Sequence, residues 1–213
     1  MKPIDQSFSK TFFQLAIVAV LLFSFSCSPE ADMDAPENLK AVNAKSKKGK
    51  KVTRAWRGKF SNVADQNQPI VACIPEEAGV LLTTNIISGN MTHMGKIQPG
   101  SFGRPQEGTC FLTSENSVRV IFYVNYIGAH GDMITTVEDV TLILDLEADP
   151  FGQVGTFENS RDTDGNLIPI TILEGTGRFE GAEGKLLFKD AVFSPGPDGT
   201  VLSTWELQGE ITY

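Results

Sequence analysis

From Arg54 onward, apolar residues recur at every second position in short runs, each closed by a cluster of Gly, Pro, Asn, Asp or Ser. Two is the strand period, because successive side chains of an extended backbone point to opposite faces. The pattern predicts strands near 55–61, 70–74, 80–88, 91–98, 109–113, 118–127, 140–146, 155–160, 168–173, 185–193 and 201–212. Alternation is clearest late in the chain. Val140, Leu142, Leu144 and Leu146 share one face against Thr141, Asp145 and Glu147. In the last run Val201, Trp205, Leu207, Ile211 and Tyr213 oppose Thr204, Glu206, Gln208 and Glu210. One apolar and one wet face is what a closed antiparallel sheet requires. With some segments merging, the expectation is an all-β fold, a single antiparallel up-and-down barrel of about eight strands. Asp164-Gly165 and Pro197-Asp198-Gly199 supply hairpin turns.

The first fifty residues follow no such period. Lys2 and Lys10 precede an apolar run over 12–25, broken by Gln14 and followed by Ser26 and Cys27. That run is short for a bilayer span and suits the apolar region of a signal peptide. Its end, LLFSFSC, resembles a bacterial lipobox, in which the cysteine becomes thioether-linked to diacylglycerol. Acyl chains of this kind tether a protein to a membrane without spanning it. Residues 28–52 read as a linker, acidic first and then basic, with almost no large apolar side chain to anchor it. The acidic part resembles the surface-export signal of Bacteroidetes lipoproteins, and the basic part reads as a solvated run. The expected organisation is therefore a signal peptide over 1–27 with lipidation at Cys27, a linker over 28–52 and a barrel domain over 53–213. The expected address is the cell envelope of a Gram-negative bacterium, lipid-anchored to the outer membrane on its periplasmic or surface face.

Charge narrows the partners. Nine Lys and Arg and no acid lie between Lys40 and Lys59, yet Val52–Tyr213 holds 21 acidic against 10 basic residues. A domain of that sign repels phosphates, so nucleic acid is excluded as a partner. Once Cys27 is lipidated, Cys73 and Cys110 are the remaining thiols. Two thiols in an exported domain tend to pair as a disulfide, the alternative being two separate buried cysteines.

His93 and His130 lack the local spacing of a metal site, and no metal or cofactor is expected. Asp162-Thr163-Asp164-Gly165-Asn166 lacks the bidentate Glu of a calcium loop and reads as a hairpin turn. No nucleophile elbow or phosphate-binding glycine loop occurs, and the acids fall mostly on positions expected to face outward, so catalytic residues are not assigned. Trp56, Phe122, Tyr126 and Trp205, with His93, are the candidate lining of a cavity for a small apolar ligand; plain core is the competing reading.

The densest glycine cluster is GTGRFEGAEGKLLF, Gly175 to Phe188, in which Gly175, Gly177, Gly181 and Gly184 bracket Phe179. It resembles the GGTGxFxGAxG signature of allene oxide cyclase-like and dirigent-like barrels. Three further pieces follow the family's order: GNMTHMGK at 89–96, AHGD at 129–132 and GEITY at 209–213. Glu174 stands where the family usually has a glycine, and His130 where it has Asn. The resemblance implies the barrel, and through the family's plant members it implies homo-oligomerisation, but no catalytic residue carries over. Three functions follow: non-catalytic binding of a small apolar ligand or an envelope partner, a cofactor-free cyclase or isomerase, or an oligomerising structural protein.

Overall fold

The computed structural model describes residues 51–74 and 80–213. The signal-like segment with Cys27 and the linker up to residue 50 lie outside them. The strands are β1 (Thr53–Ala64), β2 (Val71–Ala72), β3 (Leu81–Leu82), β4 (Asn85–Met91), β5 (Gly95–Lys96), β6 (Phe102–Pro105), β7 (Phe111–Ser114), β8 (Ser117–Ile127), β9 (Met133–Leu144), β10 (Gly155–Asn159), β11 (Ile170–Gly175), β12 (Glu183–Pro195) and β13 (Val201–Thr212). A 3-10 turn, Gly177–Phe179, joins β11 to β12.

Hydrogen bonding runs from β9 through β11, β12, β13, β1, β4, β6 and β8, and β8 pairs back onto β9. Every one of these pairings is antiparallel, so the sheet closes on itself as an eight-stranded up-and-down barrel with no free edge in its ring. The eighth strand is shared. β10 and β11 each lie between β9 and β12, separated by an excursion of the chain around Asp162–Asn166. Asn159, buried at 2% exposure, bridges the gap this leaves. Its Oδ1 accepts from the Phe188 backbone N–H of β12 at 2.7 Å, and its Nδ2 donates to the Ile168 carbonyl at 2.9 Å. A side-chain amide thus satisfies groups that an unbroken strand would have paired.

The two ends of the barrel are built differently. β1 begins and β13 finishes at one end, where Val52 and Tyr213 exchange backbone hydrogen bonds. That end is plugged. Phe179 is fully buried there, between Trp56, at 6.1 Å between ring centroids, and Tyr213, at 5.0 Å. Two glycines of the cluster make this fit possible. A Cβ on Gly175 would overlap the Phe179 carbonyl, and Gly177, at φ +59°, would drive one into the Asp132 carboxylate. Asp132 pairs with Arg178 at 2.6 Å, and Arg178 also donates to the His93 carbonyl at 3.1 Å. The 3-10 turn is therefore bound to both the 92–94 and 128–132 turns.

At the opposite end a short arm, β2 paired with β3, packs Val80 and Leu82 against a second apolar cluster. A disulfide joins Cys73 on this arm to Cys110 before β7, with the Cα atoms 4.6 Å apart, and Ile74 bridges to Phe111. Both cysteines are buried in this cluster with Val118, Val120, Val140 and Leu144.

Several expectations need correction. The 91–98 run is not one strand, because Thr92–Met94 form a turn in which His93 takes φ +66°. β6 falls in a stretch read as loop, its signal masked by flanking Pro and Gly. Leu146 does not share the Leu144 face: β9 ends at Leu144, and Leu146 is 37% exposed. At its other end β9 begins seven residues before Val140, which places an acid inside the barrel.

Candidate functional site

Residues of β9 alternate strictly from Ile134 to Val140, the even positions buried and the odd ones half-buried. Carried along that period, Thr136 and Glu138 project into the barrel with Ile134 and Val140. Their exposures are 0% and 4%. Asp139, next in sequence, points the other way and forms a bidentate pair with Arg119, with N···O distances of 2.9 and 2.6 Å. Two adjacent acids thus receive opposite treatment. The outer one has a guanidinium; the inner one has none.

Glu138 instead meets neutral donors. The Tyr126 hydroxyl and the Thr136 hydroxyl each donate to its Oε1 at 2.9 Å. Oε2 takes no hydrogen bond among the described residues. Burial opposes ionisation and pushes the carboxyl up to about 7, against the two hydrogen bonds, which favour the carboxylate. Tyr126 is likewise held well above the ordinary tyrosine range, by burial first and then by Glu138. The Trp205 indole N–H offsets this slightly, and its buried Nε1 has no hydrogen-bond partner among the described residues.

The carboxyl opens onto a cavity. Phe122, Val140, Leu142, Phe157, Phe188 and Trp205 form half of its twelve-residue lining, Asn62 and Asn85 add two amides, and Glu138 is the one ionisable residue in it. It offers about 70 Å³ to the centres of water molecules, several waters' worth at roughly 10–15 Å³ each. Beyond it, sharing Asn85, Phe122 and Leu142 as a rim, lies a wider vestibule of about 440 Å³. The vestibule is bounded by Leu81 of the arm, 61% exposed, and by Phe151, 85% exposed. Below the cavity the Phe60 ring stacks on Trp205 at 5.4 Å and tilts against Tyr126 at 5.2 Å. This aromatic layer separates the open half of the lumen from the plug.

The five residues expected to line a cavity divide between the two halves. Phe122 and Trp205 lie in the cavity wall, and Tyr126 holds the carboxyl. Trp56 belongs to the plug, its indole N–H donating to the Thr92 carbonyl at 2.5 Å. His93 is an exposed turn residue beside the Tyr213 ring, outside the lumen. Other charged groups on the barrel are paired separately: Glu158 faces Arg161 at 3.6 Å, Glu174 accepts from Thr135, and Arg178 holds Asp132. No group of three or more His, Cys, Asp or Glu able to hold a metal occurs among the described residues.

Sequence reasoning missed Glu138 and Thr136. The signal was present: both are in phase with Val140, Leu142 and Leu144, and extending that alternation backward puts them inside. It was obscured because Thr135, Thr136, Glu138 and Asp139 place polar residues on both faces. No family model, curated protein or solved structure matches the chain.

Proposed function

We propose that this barrel binds a small, largely apolar molecule in the open half of its lumen, without converting it. The observation that carries this reading is the cavity itself, apolar in its wall, widening into a vestibule rimmed by exposed Leu81 and Phe151, and supplied with one buried carboxyl to orient a guest. A barrel serving only as a scaffold has no use for an unpaired carboxyl in its interior, since burying an ionisable group without a cation is unfavourable. The resemblance of the glycine cluster to allene oxide cyclase-like and dirigent-like barrels agrees with this reading. Lipid anchoring through Cys27 to the outer membrane, with the bilayer as a partner, belongs to the same proposal; β1 begins at the plugged end, where Val52 pairs with Tyr213. Homo-oligomerisation, as in the family's plant members, is compatible with it.

A second reading, a cofactor-free isomerase or cyclase, is favoured by the same Glu138. A buried carboxyl near neutrality beside a cavity suits general acid–base catalysis. Native mass spectrometry of the full chain, followed by extraction of any bound compound, tests the first reading. A stoichiometric apolar molecule recovered unchanged after incubation supports it. Turnover of that compound supports the second, and an empty lumen that refuses all apolar probes contradicts both.

A further inference from the structure

The arrangement of donors around Glu138 limits what its free oxygen can recognise. Oε1 already accepts two hydrogen bonds, from Tyr126 and Thr136, which occupies its lone pairs. A proton on this carboxyl therefore sits on Oε2, which has no partner among the described residues, on a group that lines the cavity. In that state the site presents one O–H donor in a wall that is otherwise apolar except for the amides of Asn62 and Asn85. We infer that the open half of the lumen selects a small hydrocarbon carrying a neutral oxygen acceptor, such as a ketone or aldehyde. The acceptor takes the Oε2 hydrogen as a hydrogen bond, and the guest is released when that proton leaves.

This inference rests on the binding function proposed above and names the ligand class for the same cavity. Charged guests fit the surroundings poorly. No Lys or Arg lines the cavity, so a carboxylate guest would find no cation there. An ammonium guest would have to draw the proton off Glu138, and beyond that carboxylate the lining side chains offer its three N–H groups only the amide oxygens of Asn62 and Asn85. The side chains that contact Glu138 or share its cavity from neighbouring strands are Tyr126, Phe122 and Val124 on β8, Phe157 on β10, Phe188 on β12, Trp205 on β13, Asn62 on β1, and Asn85 and Ile87 on β4. Tyr126 alone among these titrates, and it does so far above neutrality. Arg119 and Asp139, the nearest charged pair along these strands, satisfy each other on the outer face. Glu138 is thus the single proton switch of the cavity, with a midpoint of about 7.

The test is a ligand-observed NMR titration of the full chain with 2-hexanone, hexane, hexylamine and hexanoate at pH 6 and pH 8.5, repeated on Glu138→Gln. The expected result is that 2-hexanone binds at least tenfold more tightly than hexane at pH 6 and loses roughly thirtyfold in affinity by pH 8.5, as a carboxyl of that midpoint deprotonates. Glu138→Gln keeps an N–H donor and cannot ionise, so it should hold the same preference at both pH values. A preference for hexylamine that grows with pH overturns the inference, as does any preference for hexanoate. Equal binding of all four compounds overturns the inference but leaves the binding function standing. If none of the four binds, both fall together.

Discussion

The two halves of this barrel use opposite chemistries. At the plugged end, glycines without side chains let Phe179 and Trp56 pack at almost complete burial, and the nearby acid, Asp132, is paired with Arg178 and stays below the usual carboxylate range. In the open half, large aromatic rings leave a cavity unfilled, and the acid facing it, Glu138, lacks a cation and is raised to about 7. The difference teaches that the most conspicuous sequence feature, the glycine cluster, serves architecture, while the residue with chemical potential lies in an unremarkable strand.

The largest expected effect is at the plug. Phe179→Ala should cost roughly 3–5 kcal/mol in urea unfolding, because the deleted ring is fully buried among other rings. Ligand affinity of the remaining folded protein should not change, since the Phe60, Trp205 and Tyr126 layer stands between; a parallel loss of affinity would erase the distinction between the halves. Replacing both Cys73 and Cys110 by Ser should cost roughly 4 kcal/mol, given a separation of 37 residues. This variant should also loosen the arm carrying Leu81, seen as faster amide exchange at β2 and β3 before the barrel strands.

Glu138→Gln should change stability in a pH-dependent way. The folded-state value of about 7 lies above the ordinary 4.5, so the favourable contribution of the protonated group is complete below pH 4.5 and is lost as pH rises through 7. Above pH 8 the wild-type protein therefore carries a penalty of about 3 kcal/mol that the variant lacks. Unfolding free energies measured from pH 4 to 9 should fall for wild type relative to the variant. Curves that stay parallel would mean that Glu138 is not desolvated. The smallest effect is at His93, whose φ of +66° suits glycine better. His93→Gly should raise stability by roughly 1 kcal/mol and leave lumen binding unchanged, because the side chain is exposed at the plugged end.

Much of the fold was legible because strand alternation and turn chemistry agree. β8 and β13 follow the pattern of their apolar positions closely, and Gly165 and Gly199 take the positive φ that their turns require. The 91–98 run was misread because Met91, Met94 and Ile97 are all buried at a spacing of three, which a turn followed by a short strand produces and simple alternation does not. β6 was invisible because four residues bounded by Pro99-Gly100 and ending in Pro105 carry a weak strand signal. The site was only half legible. Phe122, Tyr126 and Trp205 announced themselves by size, but nothing in one sequence says which end of a barrel each will reach. Glu138 went unseen because polar residues are expected outside, and it is the inward phase of β9, fixed by Val140 and Leu144, that overrides this expectation.

The account is tested most directly by a carbon-detected NMR titration of side-chain carboxyls, with Glu138 and Asp132 assigned by Glu138→Gln and Asp132→Asn. It predicts that Glu138 titrates near 7 and Asp132 below the usual carboxylate range, in one protein and one experiment. A Glu138 midpoint near 4.5 would mean that the lumen is wet and the carboxyl ionised at neutral pH, and the contrast between the two halves would be wrong.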